Sequence, residues 1–245
     1  MIENTDDDFN RRIFQLAPIP CQLRSNPLVP ITFRELLLGA RDPGDVLVKR
    51  RLALTVAHSV LQLHDNALFG NGWTEDNISF FQSDGLLIDF EQPYIDSPMS
   101  PAGPDAAHNK DAREEWHPNL GILRLGILLL EVHTWRPIEG LQAIDNPDAG
   151  ETTTTIHSRV MAICKALDTG LSDCLPGYQS ATRACVDIGW LPVGARVSLE
   201  DPETCEGLYR HVITPIQEEI TYVEKMAKKY GHRGTSLLTP RFSMS

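Results

Sequence analysis

The sequence contains no apolar stretch of the roughly 20 residues that a membrane-spanning helix needs. The nearest candidate, residues 120–132, is shorter than that and contains Arg124, so a buried helix is predicted there instead. Cysteines are also few, because the chain has five of them and no Cys-x-x-Cys pair. This odd number argues against a disulfide framework or a structural zinc site and predicts a reducing compartment. Since the first residues are acidic, where a targeting signal would be basic, we expect a cytoplasmic protein with no membrane span.

Positive charge is scarce as well. The chain has 22 Lys and Arg residues against 33 Asp and Glu residues, which gives a formal net charge of −11. Such a balance disfavours binding to nucleic acid or to an anionic membrane. An apolar content of 42% over 245 residues excludes wholesale disorder and allows a sizeable core. The composition therefore predicts a compact globular domain.

Apolar residues at helical spacing predict a mainly α fold. Thr32 and Glu35 have the spacing of a capping box and predict the start of a short helix. The dipeptide Asp84-Gly85 lies between two apolar runs and predicts a small β-hairpin at residues 79–88. Residues 94–115 lack periodicity and are predicted to form a loop. The predicted helices are a long one at 47–64, an apolar and therefore central one at 120–133 that packs on it, and further helices at 156–169, 179–188 and 202–230.

These elements suggest three parts of the chain. Residues 1–31 are expected to form an N-terminal extension with a strand and a proline-containing loop. Residues 32–230 hold all of the predicted helices and form the main domain. Residues 231–245 are expected to be a flexible basic tail.

The order of the elements carries more information about function than any single residue. The long helix is followed by the segment Trp73-Thr-Glu-Asp-Asn77-Ile-Ser-Phe, then by the hairpin, then by Asp89-Phe90-Glu91. This order resembles the carboxy-terminal lobe of protein kinases. In that family a loop asparagine and the aspartate of an Asp-Phe-Gly motif both bind magnesium. The resemblance aligns Asn77 with the loop asparagine and Asp89-Phe90-Glu91 with Asp-Phe-Gly.

Residues 51–139, and more weakly the region to about residue 219, are similar to a family of uncharacterised fungal kinase-like domains. These domains often follow HeLo-type helical domains in proteins of the prion-inhibition and incompatibility type. The similarity is carried by the sequence of the long helix, by residues 73–80, and by residues 125–131 with the following Arg136-Pro137-Ile138-Glu139. It implies a kinase-like carboxy-terminal lobe in residues 32–230, with most of the amino-terminal lobe missing and residues 1–31 beginning near the hinge strand.

The chain departs from active kinases at the groups that perform the reaction. A kinase has its catalytic aspartate five residues before the loop asparagine, and this position is Gly72 here. No Gly-x-Gly-x-x-Gly loop and no Val-Ala-x-Lys strand precede the long helix. Phosphoryl transfer depends almost wholly on positioning and electrostatics, so we predict that the chain has no catalytic residue of the kinase type.

The remaining candidates each have two interpretations. Glu75 and Asp76 could replace the lost acid or base, although neighbouring carboxylates at a loop edge are more often solvated. Asn77 and Asp89 could share one divalent ion, but two oxygen ligands make a weak site, so structural hydrogen bonding is favoured.

Two functions follow from these residues. The favoured one is a non-catalytic, pseudokinase-like scaffold that uses no cofactor and binds a protein partner, in a setting of fungal signalling or incompatibility that the resemblance alone implies. The alternative is a phosphotransferase that uses Mg-ATP and obtains the missing lobe from a longer chain or from a partner. Neither the partner, the substrate nor the oligomeric state follows from the sequence.

Overall fold

A computed structural model describes residues 29–63, 75–83, 87–95, 117–143, 156–169, 171, 174–191 and 197–230. In these residues the fold is mainly α with one small antiparallel sheet, as the sequence predicts. The strands are β1 (Val29–Thr32), β2 (Ile78–Ser83), β3 (Leu87–Ile88) and β4 (Tyr94–Ile95). The helices are α1 (Phe33–Leu38), α2 (Val46–Leu63), α3 (Leu120–Thr134), α4 (Ile138–Ala143), α5 (Ile156–Asp168), α6 (Pro176–Val186), α7 (Pro202–Leu208) and α8 (Thr214–Tyr230).

The two helices that the apolar periodicity predicts most clearly, α2 and α3, are confirmed to within about one residue at each end and pack on each other. The capping box at the start of α1 is also confirmed. Thr32 Oγ1 accepts a hydrogen bond from the Glu35 N–H at 3.1 Å, and Glu35 Oε2 accepts one from the Thr32 N–H at 2.8 Å. These reciprocal bonds satisfy two N–H groups that the first turn of a helix leaves without partners.

The predicted helix at 202–230 is a chain of three segments. Between α7 and α8, residues Tyr209–Ile213 form one π-helical turn, in which the Thr214 N–H donates to the Tyr209 carbonyl. A π turn inserts an extra residue into the helical repeat, so it changes which residues of α8 face the core.

β2 is the central strand of the small sheet. β2 pairs antiparallel with β1 on one side and with the short strands β3 and β4 on the other. The pairing of β2 with β3 is the predicted hairpin, whose turn at 84–86 lies outside the described residues. The sequence did not predict β4, which occupies the start of the expected loop at 94–115. It also did not predict that β1 would pair with β2. β1 spans residues on both sides of the expected boundary between residues 31 and 32.

The central position predicted for α3 is confirmed, because both of its faces are buried. One face joins the larger apolar cluster with α1, α2, α6 and α8, and the other packs on α4 and α5 through Leu123, Ile127 and Leu130. A Cβ atom on Gly126 would lie 2.8 Å from the Cβ of Cys185 on α6, closer than two such atoms pack. The glycine therefore permits close packing of α3 on α6.

Some predictions fall on other parts of the chain. The expected strand and loop within residues 1–28, the segment containing Gly72 and Trp73, most of the 94–115 loop and the tail at 231–245 lie outside the described residues. Among the helices that are described, none combines the length and the apolar character needed to cross a membrane.

Candidate functional site

The turn after β3 contains the Asp89-Phe90-Glu91 motif. Asp89 is exposed, and its Oδ1 accepts a hydrogen bond from the Glu91 N–H at 3.1 Å. Its backbone carbonyl faces the Gln92 N–H at 3.4 Å. An aspartate that accepts from the N–H two residues later forms an Asx turn, which fixes the local direction of the chain. One carboxylate oxygen of Asp89 therefore has a structural partner.

Phe90 of the same motif belongs to an aromatic cluster beneath the sheet. Its ring centroid lies 5.7 Å from that of Phe80 and 5.6 Å from that of Trp135, and Phe33 lies 5.6 Å from Trp135. Tilted and edge-on contacts of this kind are favourable beyond the apolar area they bury. The cluster joins the turn after β3 to α1, β2 and the end of α3.

Trp135 follows the last residue of α3 and has a backbone conformation that residues other than glycine rarely adopt. Its φ is 51° and its ψ is 40°, in the left-handed region that usually requires glycine. Only 3% of Trp135 is exposed, so burial of the indole beside Phe33 and Phe90 offsets the free-energy cost of the left-handed backbone conformation. The position of Phe90 is thus tied to a strained helix end.

Glu91 forms an ion pair at the surface. Its Oε1 lies 2.6 Å from Nη1 of Arg51 on α2, and Arg51 Nη2 lies 2.9 Å from Glu224 Oε1 on α8. The hydrogen bonds to Glu224 and then to Glu91 raise the pKa of the Arg51 guanidinium above its usual value. Arg51 therefore links the motif-bearing turn to α8, although such an exposed pair contributes little stability.

The other candidates lie in a one-turn helix, Glu75–Asn77, directly before β2. Asp76 is exposed and lies 4.0 Å from the Arg34 Nε, whereas Asn77 is half-buried. The side chain of Glu75 lies outside the described part of the chain. Asn77 adjoins the start of β2, but Asp89 follows β3, which pairs with the end of β2 through Ile88 and Gln82. The two motif residues thus adjoin different parts of β2.

A buried charge, which the sequence did not predict, lies at the centre of the helices. Arg50 is completely buried, and its Nε donates to Glu219 Oε1 at 2.5 Å. Its Cζ lies 3.7 Å from the ring centroid of Tyr178, and both Nη atoms lie 3.3 Å from His133 Nδ1. Because a guanidinium can only donate, His133 Nδ1 must be the acceptor. This network joins α2, α3, α6 and α8.

Tyr178 completes this buried network. Its N–H donates to Glu219 Oε2 at 2.7 Å, and its hydroxyl donates to the Leu129 carbonyl at 2.7 Å. Burial raises the pKa of the Tyr178 hydroxyl far above its ordinary value, so the hydroxyl stays protonated. Both oxygens of Glu219 therefore have partners, which is the condition under which a buried ion pair is tolerated.

Burial keeps the thiols of Cys174 and Cys185 protonated. Burial raises the pKa of the Cys174 thiol to about 11, and burial also raises the pKa of the Cys185 thiol. A thiol of high pKa is a poor nucleophile near neutral pH, because the thiolate is the reactive form. In the described ranges, no three His, Cys, Asp or Glu side chains are grouped closely enough to hold a metal ion.

A protein-family model matches most of this chain. The model of a family described as a domain of unknown function, DUF7580, matches residues 8–222. A comparison with functionally curated proteins gives no match. The match covers the N-terminal segment, the sheet and the helices as far as the middle of α8.

Proposed function

We propose that this chain, which belongs to the family of DUF7580 domains, is a non-catalytic interaction domain related to the carboxy-terminal lobe of protein kinases. The observation that carries the proposal is the state of the Asp89-Phe90-Glu91 motif. Asp89 caps its own turn, Phe90 packs in the aromatic cluster, and Glu91 pairs with Arg51. All three side chains thus have partners within the fold.

The chemistry of phosphoryl transfer supports the same function. A kinase needs a carboxylate that orients the substrate hydroxyl and a lobe that holds the phosphates. The sequence has Gly72 in place of that carboxylate and lacks the glycine-rich loop. Loss of both groups removes the positioning on which this reaction depends.

The cellular setting is part of the proposal and rests on the kinase-like and fungal resemblance. The domain acts in the cytoplasm on a protein partner, in signalling of the incompatibility type. It needs no nucleotide cofactor and does not bind nucleic acid, consistent with its net charge of −11.

One observation favours the alternative function. Asp76 is exposed and lies 4.0 Å from the Arg34 Nε, so its carboxylate is accessible to a substrate. In a phosphotransferase whose second lobe came from elsewhere, Asp76 would act as the replacement base. That function would require Asp89 and Asn77 to hold magnesium with the nucleotide phosphates.

Substitution of Asp89 separates these functions. Asp89→Asn keeps an oxygen that accepts from the Glu91 N–H, so its melting temperature should equal that of the parent. Asp89→Ala loses a single exposed hydrogen bond, worth about 0.5–1 kcal/mol, and should lower the melting temperature by about 1–4 °C. Neither effect should depend on magnesium. Thermal melts with and without millimolar magnesium measure both.

Asp187 offers a matched control, because it is also exposed and accepts from the Gly189 N–H at 3.0 Å. Asp187→Ala should behave as Asp89→Ala does. A ligand raises the melting temperature of the state that binds it. A magnesium-dependent rise in the parent and in Asp187→Ala that both Asp89 variants lose would refute the structural role and favour the phosphotransferase.

A further inference from the structure

A buried histidine lies immediately before the central helix α3. His117 is only 5% exposed, and its Nδ1 accepts a hydrogen bond from the Asn119 N–H at 3.1 Å. A ring nitrogen that accepts a hydrogen bond carries no proton, so the imidazole is neutral with its proton on Nε2. The bond has the geometry of an Asx turn, with an imidazole nitrogen in place of a carboxylate oxygen.

Asn119, which this bond positions, connects two parts of the fold. Its Oδ1 accepts from the Ile122 N–H at 3.0 Å and so caps α3. Its Nδ2 donates to the Val197 carbonyl at 3.3 Å, which ties the start of α3 to the segment before α7. Loss of the His117 acceptor would therefore disturb both contacts.

Burial is the largest influence on the charge of this ring. The backbone of Cys185, at the end of α6, also lies beside the ring and favours its protonated form, but burial outweighs this effect. A positive charge just before the start of α3 would also oppose the helix dipole.

We propose that His117 is an acid-sensitive anchor of α3, whose protonation releases the Asn119 cap and loosens the start of the central helix. Since Ile122 and Leu123 in the first turn are completely buried, loosening this turn exposes apolar surface. The anchor is thus a conformational device that responds to acidification. It does not depend on the proposed interaction function.

The direction of the effect follows from burial. Burial lowers the pKa of His117 below its ordinary value of 6.5, so the folded state favours the neutral ring. The stability that the neutral His117 ring contributes is complete above the unfolded-state pKa. It is lost as the pH falls below about 6.5 towards the folded-state pKa.

Thermal melts at pH 7.5 and 5.5 test the proposal with the full chain. His117→Asn keeps an acceptor for the Asn119 N–H but does not titrate. Between these pH values the melting temperature of the parent should fall at least about 2 °C further than that of His117→Asn. The control is His58→Asn, which replaces a half-buried histidine of α2 that lies beside Tyr209. Its melting temperature should fall by as much as that of the parent. Equal falls in the parent and in His117→Asn would overturn the proposal.

A second measurement on the parent covers the case in which His117→Asn does not fold. Hydrogen exchange, corrected for the intrinsic effect of pH, should show that amides at 119–125 lose protection below about pH 6.5 before those of α8 do. Retention of protection at 119–125 to the same pH as in α8 would rule out the anchor.

Discussion

Arg50→Met is expected to lower the free energy of unfolding by about 3–5 kcal/mol, because it leaves Glu219 buried without its cation. Glu219 is 5% exposed, and its Oε1 lies 2.5 Å from Arg50 Nε. The substitution also removes the guanidinium that lies 3.7 Å from the Tyr178 ring. For a chain of this size the fall in melting temperature should be on the order of 10 °C. Chemical denaturation followed by circular dichroism measures the change in free energy.

The adjacent Arg51 is a matched control for this prediction. Its side chain is exposed and its ion pairs with Glu91 and Glu224 lie at the surface, so Arg51→Met should change stability far less. The double variant Arg50→Met, Glu219→Leu should recover much of the lost stability, since neither buried charge remains. Equal effects of the two single arginine substitutions would contradict the buried network.

Phe80→Ala is expected to lower the free energy of unfolding by about 3–5 kcal/mol, since it opens a cavity in the aromatic cluster. Phe80 is completely buried, and its ring contacts those of Phe33 and Phe90 at centroid distances of 6.5 Å and 5.7 Å. Loss of this packing also removes the support of the turn that bears Asp89. Denaturant titration of the purified variant gives the change directly.

The neighbouring Phe81 provides the comparison. Successive strand residues point to opposite faces, and Phe81 is only half-buried, with its ring 4.6 Å from that of Tyr94. Phe81→Ala should therefore cost about 1 kcal/mol, because it removes a partly exposed ring rather than a core one. A larger loss for Phe81→Ala than for Phe80→Ala would mean that β2 has the opposite register, because a one-residue shift exchanges its two faces.

Local patterns in the sequence predict most of the helices. The spacing of apolar residues places α2 and α3 within about one residue, and the pair Thr32 and Glu35 predicts the start of α1. These signals come from residues that lie within one or two turns of each other. The close packing at Gly126 also has a local signal, since a glycine inside an apolar helix lets a neighbouring helix approach its backbone.

Features that depend on distant residues were not predicted. β1 pairs with β2 across more than 40 positions of sequence, and no local pattern specifies that partner. Arg50 reads as a solvated charge beside Lys49 and Arg51, although it lies on the same face of α2 as the buried Ala53 and Ala57. Its burial depends on Glu219, which follows by 169 positions.

For the candidate site too, local sequence patterns predict some features and distant contacts determine the others. The motif Asp89-Phe90-Glu91 is visible in the sequence, but its contacts with Trp135 and Arg51 are set by the packing of α2 and α3. The left-handed conformation of Trp135 has no local signal, because tryptophan rarely adopts it. The sequence therefore predicts the position of the turn, and the fold determines what its side chains contact.

The most direct test of the non-catalytic function is calorimetric titration of the chain with Mg-ATP. The sequence has neither the glycine-rich loop nor the Val-Ala-x-Lys strand that hold the phosphates of ATP in kinases, so we predict no binding tighter than a Kd of about 100 µM, which corresponds to about 5.5 kcal/mol. A Kd well below that value in the parent, lost in Asp89→Asn but kept in Asp187→Ala, would contradict the account and identify a nucleotide-binding domain.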